Sequence, residues 1–194
     1  KYVDVVLSFF DFDKIWGMPV INIDNGISLN DIKIQEKKRE IENTIRLIFV
    51  AAYSPWHGVD RIVKSLDEYY KTKKISDPEI ILKLVGSGDS LTEVIQTEYF
   101  SRVKSHIELL GPRHGKELDD LYDESDVAIS SLGMFRIGLV NGSTLKTKEY
   151  CAKGIPFIYA YKEKLIDDSF KYARRFENDD SLIDMNSIIE FYYG

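Results

Sequence analysis

The chain has 194 residues, 44% of them hydrophobic, and a formal net charge of −6. This length and apolar content are enough for one ordinary domain with a buried core. The acidic balance argues against a broad nucleic-acid-binding surface, which needs a basic face, so we predict no nucleic-acid partner. A single cysteine excludes an internal disulfide framework and is typical of a reducing compartment. No apolar run approaches the about 18–20 residues that cross a bilayer and no signal peptide is visible, so we expect a cytoplasmic protein.

Both ends of the chain resemble internal points of a longer protein. A strand-like run, residues 3–7, begins almost at once, and an apolar-periodic stretch, residues 188–192, runs nearly to the last residue. We therefore expect an excised domain. The charged stretch 31–42 is interpreted as a solvated helix or loop face.

Strand-like and helix-like segments alternate from Ile45 onward. Such alternation predicts a parallel sheet with helices on both faces, so the expected fold class is α/β and Rossmann-like. Helical spacing of apolar residues predicts helices that begin near residues 59, 91 and 118. The predicted strands are residues 45–52, 80–85, 107–110, 127–130 and 157–161.

The segment 133–156 carries the most informative pattern. A Gly-rich loop leads from a predicted strand into a short helix, for which Ser143 or Thr144 is a natural N-cap and Gly154 the stop. The first amides of a helix have no partner within the helix and the helix dipole is positive there, so this junction attracts phosphate. Since the loop follows a strand, it lies at the carboxyl edge of the sheet, where open α/β sheets bind ligands. We therefore predict a nucleotide-diphosphate site.

Five short motifs follow one another along the chain: Asn25-Gly26-Ile27, residues 51–58 with the helix that follows, Val85-Gly86-Ser87-Gly88, Leu110-Gly111-Pro112, and the helix 149–156 that ends in Gly-Ile-Pro. In this order they resemble the C-terminal, donor-binding half of a GT-B glycosyltransferase of the family-four type. The resemblance implies a segment 1–24 that ends a missing N-terminal half, and a donor-binding domain over 25–194.

The same resemblance implies an enzyme and its substrates. It implies retaining, metal-independent transfer of a hexosyl group from a UDP-, GDP- or ADP-sugar, without a further cofactor. The acceptor would be a bacterial surface polysaccharide or a lipid-linked sugar bound by the missing half, which leaves open a peripheral association with the inner face of the membrane. The isolated chain would bind the nucleotide sugar without turning it over.

The chain departs from the family pattern at three places. The family has two glutamates eight positions apart; Glu149 takes the second place, which holds the ribose hydroxyls, whereas Asn141 stands in the first, which contacts the donor sugar. The family's Arg and Lys, which neutralise the diphosphate, fall on Ala52 and His57. Positive charge must then come from elsewhere, because charge builds on a diphosphate leaving group.

Three nearby groups can provide that charge: Arg136, Lys146 in the first turn of the helix, and a protonated His57, whose ordinary pKa of about 6.5 a phosphate would raise. Each also has a structural interpretation, as a solvated side chain or, for His57, as a ring packed beside Trp56. The predicted nucleotide-sugar contacts are Glu149, Asn141, Gly142, Ser143, Thr144, Leu145, Lys146, Arg136, His57, Gly58, Gly86 and Arg113, with no metal.

Two other functions remain open from the sequence. Asp11 and Asp13 flank one residue after an apolar strand, as in metal-dependent GT-A transferases. A degenerate, non-catalytic nucleotide- or sugar-binding module would explain Ala52 and Asn141. A dinucleotide oxidoreductase is disfavoured, because Leu91 replaces the third glycine of its fingerprint.

Overall fold

The computed structural model describes residues 3–9, 12–36, 43–167 and 169–194. A small sheet of three strands lies at the start of the chain: β1 (Val6–Ser8), β2 (Lys14–Ile15) and β3 (Met18–Asn22), in the order β1-β3-β2. The strand predicted at residues 3–7 is thus β1, which begins at Val6, further along the chain. The predicted domain boundary near residue 25 stays a prediction.

Six parallel strands build the main sheet, in the order β11-β9-β7-β4-β5-β6. The remaining strands are β4 (Thr44–Ala52), β5 (Glu79–Ser87), β6 (Ile107–Gly111), β7 (Val127–Ile129), β8 (Asn141–Gly142), β9 (Phe157–Tyr159), β10 (Lys162–Glu163) and β11 (Ala173–Arg175). The chain proceeds from β4 to β5 and β6 on one side, then returns to β7 on the other side of β4. The topological switch point, where such sheets bind ligands, is therefore between β4 and β7.

Helices cover both faces of this sheet. They are α1 (Val59–Thr72), α2 (Asp89–Val94), α3 (Glu98–Val103), α4 (Gly115–Asp123), α5 (Leu145–Lys153) and α6 (Met185–Tyr193), with 3-10 helices at Leu29–Asp31, Pro55–His57, Lys104–His106 and Met134–Ile137. None of the helices within the described ranges is long and apolar enough to cross a membrane.

Two buried clusters hold the layers together. Alternate residues of β4 point to opposite faces, so Leu47 joins the cluster formed with α1, α2, α3 and α6, while Ile48 joins the cluster that includes Tyr122 of α4 and Tyr150 of α5. Burial on both faces explains why the strand reads as a nearly continuous apolar run. The predicted α/β, Rossmann-like fold is confirmed.

The structure changes two of the predicted elements. The helix predicted over residues 91–103 is two helices, because Thr97 caps α3 by accepting a hydrogen bond from the Phe100 amide at 3.3 Å. The last predicted strand ends at Tyr159 rather than at residue 161, since the Ala160 amide donates to the Ser131 carbonyl at 3.1 Å. The chain then forms β10, which pairs with β8 rather than with the main sheet.

Candidate functional site

The loops that follow β4 and β7 meet at the switch point. The amides of Leu132 and Gly133 donate to the carbonyls of His57 and Trp56 at 3.0 and 3.1 Å. Gly58 lies between the two loops in a left-handed conformation with φ 71°, and a Cβ there would come within 2.9 Å of the Leu132 carbonyl carbon. The predicted site residue Gly58 therefore has a structural reason to be glycine.

The helix α5 begins at this edge, with Thr144 as its N-cap. The Thr144 hydroxyl accepts from the Thr147 amide at 3.4 Å, and the Thr144 amide donates to the Glu163 carboxylate at 3.3 Å. The Thr147 hydroxyl donates to the same carboxylate at 2.8 Å. The amides of Leu145 and Lys146 have no hydrogen-bond partner within the described part of the chain. Two amides of the first turn are thus available to a ligand.

Lys146 places its ammonium group in apolar surroundings. Its Nζ is fully buried, forms no hydrogen bond to any residue that the structure describes, and lies 5.5 Å from the centroid of the Phe49 ring. Burial lowers the pKa of Lys146 to about 7, and the negative charge of Glu149 opposes this shift only in part. A buried ammonium without a hydrogen-bond acceptor is costly, so this group matches a ligand that brings negative charge.

His57 is buried beside this lysine and is neutral at pH 7. Its Nδ1 accepts a hydrogen bond from the Ser54 amide at 3.0 Å. Burial lowers its pKa to about 4, and the nearby positive charge of Lys146 contributes to this shift. His57 therefore carries no charge at pH 7 in the free chain, and its predicted role as a protonated contact of the diphosphate stays a prediction.

Arg136 is already neutralised by two carboxylates. Its guanidinium donates to both oxygens of Asp60, at 2.7 and 3.0 Å, and to Asp180 at 2.7 Å. A further bond at 3.1 Å reaches the Pro55 carbonyl. These partners raise the pKa of Arg136 above its ordinary value. Arg136 thus links two loops through these carboxylates, and its predicted role as the countercharge of a diphosphate stays a prediction.

Glu149 follows Lys146 by three residues and therefore lies on the same face of α5, one turn on. It is half-buried, and its carboxylate forms no hydrogen bond or ion pair within the described ranges. Asn141 is exposed in β8 at the start of the same loop. The two predicted contacts to ribose and donor sugar thus lie in and before the helix that carries Lys146.

Four further predicted residues have clear structural surroundings. The Ser143 carbonyl accepts from the Asn25 side chain at 2.7 Å, and a Cβ on Gly142 would lie 3.2 Å from the Tyr161 ring. Gly86 approaches β4 so closely that a Cβ would lie 1.9 Å from the Ala51 carbonyl oxygen. Arg113 is exposed in the loop after β6. No hydrogen bond or ion pair joins Arg113 to α5 in the described part of the chain.

A cavity of about 560 Å³ lies beside α5, against Thr147, Lys148, Cys151 and Ala152. Its walls include Ile27, Cys151, Leu165 and Phe170, so it is mainly apolar, with Glu163 at one side. It contains none of the predicted nucleotide-sugar contacts.

The predicted acidic pair, Asp11 and Asp13, cannot be placed, because Asp11 lies outside the described residues. Within the ranges that are described, no three His, Cys, Asp or Glu side chains cluster in a way that could hold a metal ion.

No sequence pattern indicates the hydrogen-bond network that fixes the start of α5. Glu163 is buried and bonds across sixteen residues to Thr147, while the Tyr161 hydroxyl shares a hydrogen bond with the Thr144 hydroxyl at 2.8 Å. Asp60, the partner of Arg136, was missed as well. These pairs are distant in sequence and have no periodic signature; only a conserved pairing between homologues could have indicated them.

The parallel sheet, its helices and the ligand-facing edge define a Rossmann-like α/β domain. The model of the family described as glycosyl transferases group 1 matches residues 30–166, and the chain belongs to this family. Its fold is that of the C-terminal domain of GT-B glycosyltransferases. A search of curated proteins finds no match.

Three solved structures illustrate the shared fold. The C-terminal domain of LpcC, a glycosyl transferase group 1 family protein from Francisella tularensis, is 13% identical with a TM-score of 0.61, and the match covers 87% of this chain and 91% of that one. HepE of Anabaena, solved with UDP and glucose, is 15% identical with a TM-score of 0.60, over 89% and 47% of the two chains. A glycosyltransferase from Rickettsia africae is 15% identical with a TM-score of 0.63, over 92% and 48%. The chain thus spans about half the length of the last two proteins.

Proposed function

We propose that this chain is the donor-binding half of a retaining, metal-independent glycosyltransferase and binds a nucleotide-diphosphate sugar at the start of α5. The observation that carries the proposal is the buried amino group of Lys146, which has no hydrogen-bond acceptor among the described residues and lies in the first turn of a helix at the switch point. A diphosphate matches it, because it offers several strong acceptor oxygens and two negative charges.

The neighbouring groups fit the rest of such a ligand. The free amides of Leu145 and Lys146 can donate to phosphate oxygens, as at other helix N-termini. The Glu149 carboxylate can accept from two ribose hydroxyls, one turn further along the helix. The Asn141 amide, at the start of the loop, would contact the donor sugar. It both donates and accepts hydrogen bonds, unlike the family's carboxylate.

Countercharge from Lys146 replaces the family's cations at the β4 loop. Ala52 and neutral His57 stand in those places, and Arg136 is held by Asp60 and Asp180. A lysine in the helix can stabilise the diphosphate leaving group without a metal ion. HepE of Anabaena was solved with UDP and glucose, so UDP is the first nucleotide to test.

The full protein would transfer a hexosyl group to a polysaccharide or lipid-linked acceptor. The acceptor would bind the half that this chain does not include, since the chain spans about half of HepE. A bacterial surface polysaccharide as product, a cytoplasmic location and a peripheral contact with the inner face of the membrane belong to the same proposal and follow from the family resemblance alone.

The test is a calorimetric titration of the chain with UDP, GDP and ADP, with and without a chelator. We expect saturable binding of one nucleotide that the chelator does not affect. Lys146→Met should weaken it by about 10- to 100-fold, the equivalent of one charge-assisted hydrogen bond of about 1.5–3 kcal/mol. Glu149→Gln should weaken it by about tenfold, because the amide accepts fewer hydroxyl bonds.

Lys74→Met is the matched control. Lys74 is exposed between α1 and β5, at the opposite edge of the sheet, so its loss should leave the affinity unchanged. Equal affinities of the Lys146→Met variant and the unmodified chain would contradict the proposal. A strict requirement for a divalent ion would favour the Asp11 and Asp13 alternative. Turnover by the full protein would then separate a working transferase from a non-catalytic module.

A further inference from the structure

The Lys146 amine lies where a positive charge is poorly stabilised. The Phe49 ring of β4 lies 5.5 Å from it, which offers a cation only a weak attraction. His57, whose pKa is lowered in part by Lys146, is neutral and packs against the same phenylalanine at a ring distance of 6.5 Å. On α5 itself, Glu149 is the carboxylate whose charge reaches the amine. No hydrogen-bond acceptor contacts the amine within the described residues.

The position on the helix adds a second unfavourable contribution. Lys146 lies in the first turn of α5, where the dipole is positive and the amides of Leu145 and Lys146 direct their hydrogens outward. A neutral amine avoids both costs, whereas a diphosphate bound to these amides would reverse them. The charge of the amine is therefore tied to the presence of an anion.

We propose that a nucleoside diphosphate binds to this site together with one proton, which the Lys146 amine takes up from solvent. The inference rests on the proposed function, because it concerns the same site. No bond other than the new N–H is formed or broken. The proton makes the neutral amine an ammonium, and the diphosphate oxygens then accept hydrogen bonds from it.

The direction in which nucleotide affinity changes with pH follows from the pKa of the Lys146 amine in the free and in the bound chain. In the free chain burial lowers the pKa of Lys146 to about 7, and a bound diphosphate raises it towards or above the ordinary 10.5. At a pH between these two pKa values, the complex carries more protons than the free chain and the free nucleotide together. Affinity should therefore fall about tenfold for each pH unit above 8, and should depend little on this group below pH 7.

The experiment is calorimetry of the chain with UDP at pH 8.5, in two buffers of different ionisation enthalpy. This pH lies well above the second pKa of a terminal phosphate, about 6, so UDP itself exchanges almost no proton. We expect an uptake close to one proton per UDP, seen as a difference between the apparent binding enthalpies. The Lys74→Met control should show the same uptake.

Lys146→Arg is the decisive variant, because a guanidinium stays charged at every accessible pH. It should bind UDP without proton uptake and with little change in affinity between pH 7 and 9, once circular dichroism shows that it is folded. UDP binding by the unmodified chain that is equal in both buffers and constant between pH 7 and 9 would overturn this inference and leave the proposed function intact. Absence of binding by every nucleotide at both pH values would contradict both.

Discussion

The charges at the switch point divide into a paired and an unpaired set. Arg136 is held by Asp60 and Asp180, while Lys146 is enclosed beside neutral His57 without an acceptor in the described ranges. Both Arg136 and Lys146 were predicted from the sequence as sources of positive charge for the diphosphate. The sequence places Lys146 in the first turn of a helix, which is local information. It cannot show that Arg136 meets two carboxylates, one of them 76 residues away, because that depends on the tertiary fold.

The Arg136→Met variant tests whether Arg136 stabilises the fold through its carboxylate partners rather than by contacting the nucleotide. We expect the free energy of unfolding to fall by about 1–3 kcal/mol, because the half-buried Asp60 carboxylate loses its bidentate partner. Nucleotide affinity should stay within about twofold of the unmodified chain. Urea denaturation and calorimetry measure the two quantities.

Arg113→Met is the control for this variant. Arg113 is exposed, and among the described residues it donates only to the neighbouring Pro112 carbonyl at 2.9 Å, with Glu117 at 4.0 Å. Its stability should change by less than about 0.5 kcal/mol. If Arg136→Met lost tenfold or more in affinity while keeping its stability, Arg136 would be a ligand contact after all.

The longer elements were predictable because their patterns are local. Strands β4 and β5 are buried on both faces and read as apolar runs, and α1 shows apolar residues at helical spacing. The short strands β8, β10 and β11 were missed. They have two or three residues, and β11 is an edge strand whose two arginines are exposed, so neither periodicity nor hydrophobicity marks them.

Close packing between β4 and β5 explains one of the predicted contacts. Gly86 has φ 121°, and its missing Cβ allows the Ala51 carbonyl oxygen to approach within 1.9 Å of the place where a Cβ would lie. The glycine was assigned to the nucleotide site through its motif. The strand packing alone is sufficient to require glycine here.

Gly86→Ala should therefore lower the free energy of unfolding by about 2–4 kcal/mol, because the backbone must leave its positive φ or the strands must separate. Gly26→Ala is the matched control: its φ is not in the left-handed region and nothing lies within 4 Å of its added Cβ, so we expect almost no change. Chemical denaturation of both variants checks this. Equal stabilities of the Gly86→Ala variant and the unmodified chain would show that the two strands are not held as closely as described.

The whole molecule combines an acidic surface with a local cationic site. The chain carries a net charge of −6, yet its switch point joins a helix N-terminus to a buried lysine. The fold class and the edge that carries the site followed from the order of elements, whereas the burial of Lys146 depends on how β4, the 3-10 helix Pro55–His57 and α5 meet. The chain belongs to the glycosyl transferases group 1 family and spans about half of HepE, and we propose that it carries the donor site of a larger enzyme.

The most direct measurement is a crystal structure of the chain with UDP. The account predicts that the diphosphate lies at the start of α5, with oxygens within about 3 Å of the Lys146 ammonium and of the Leu145 and Lys146 amides, and the ribose hydroxyls on Glu149. UDP bound elsewhere, for instance in the cavity of about 560 Å³ beside Cys151 and Phe170, would contradict it.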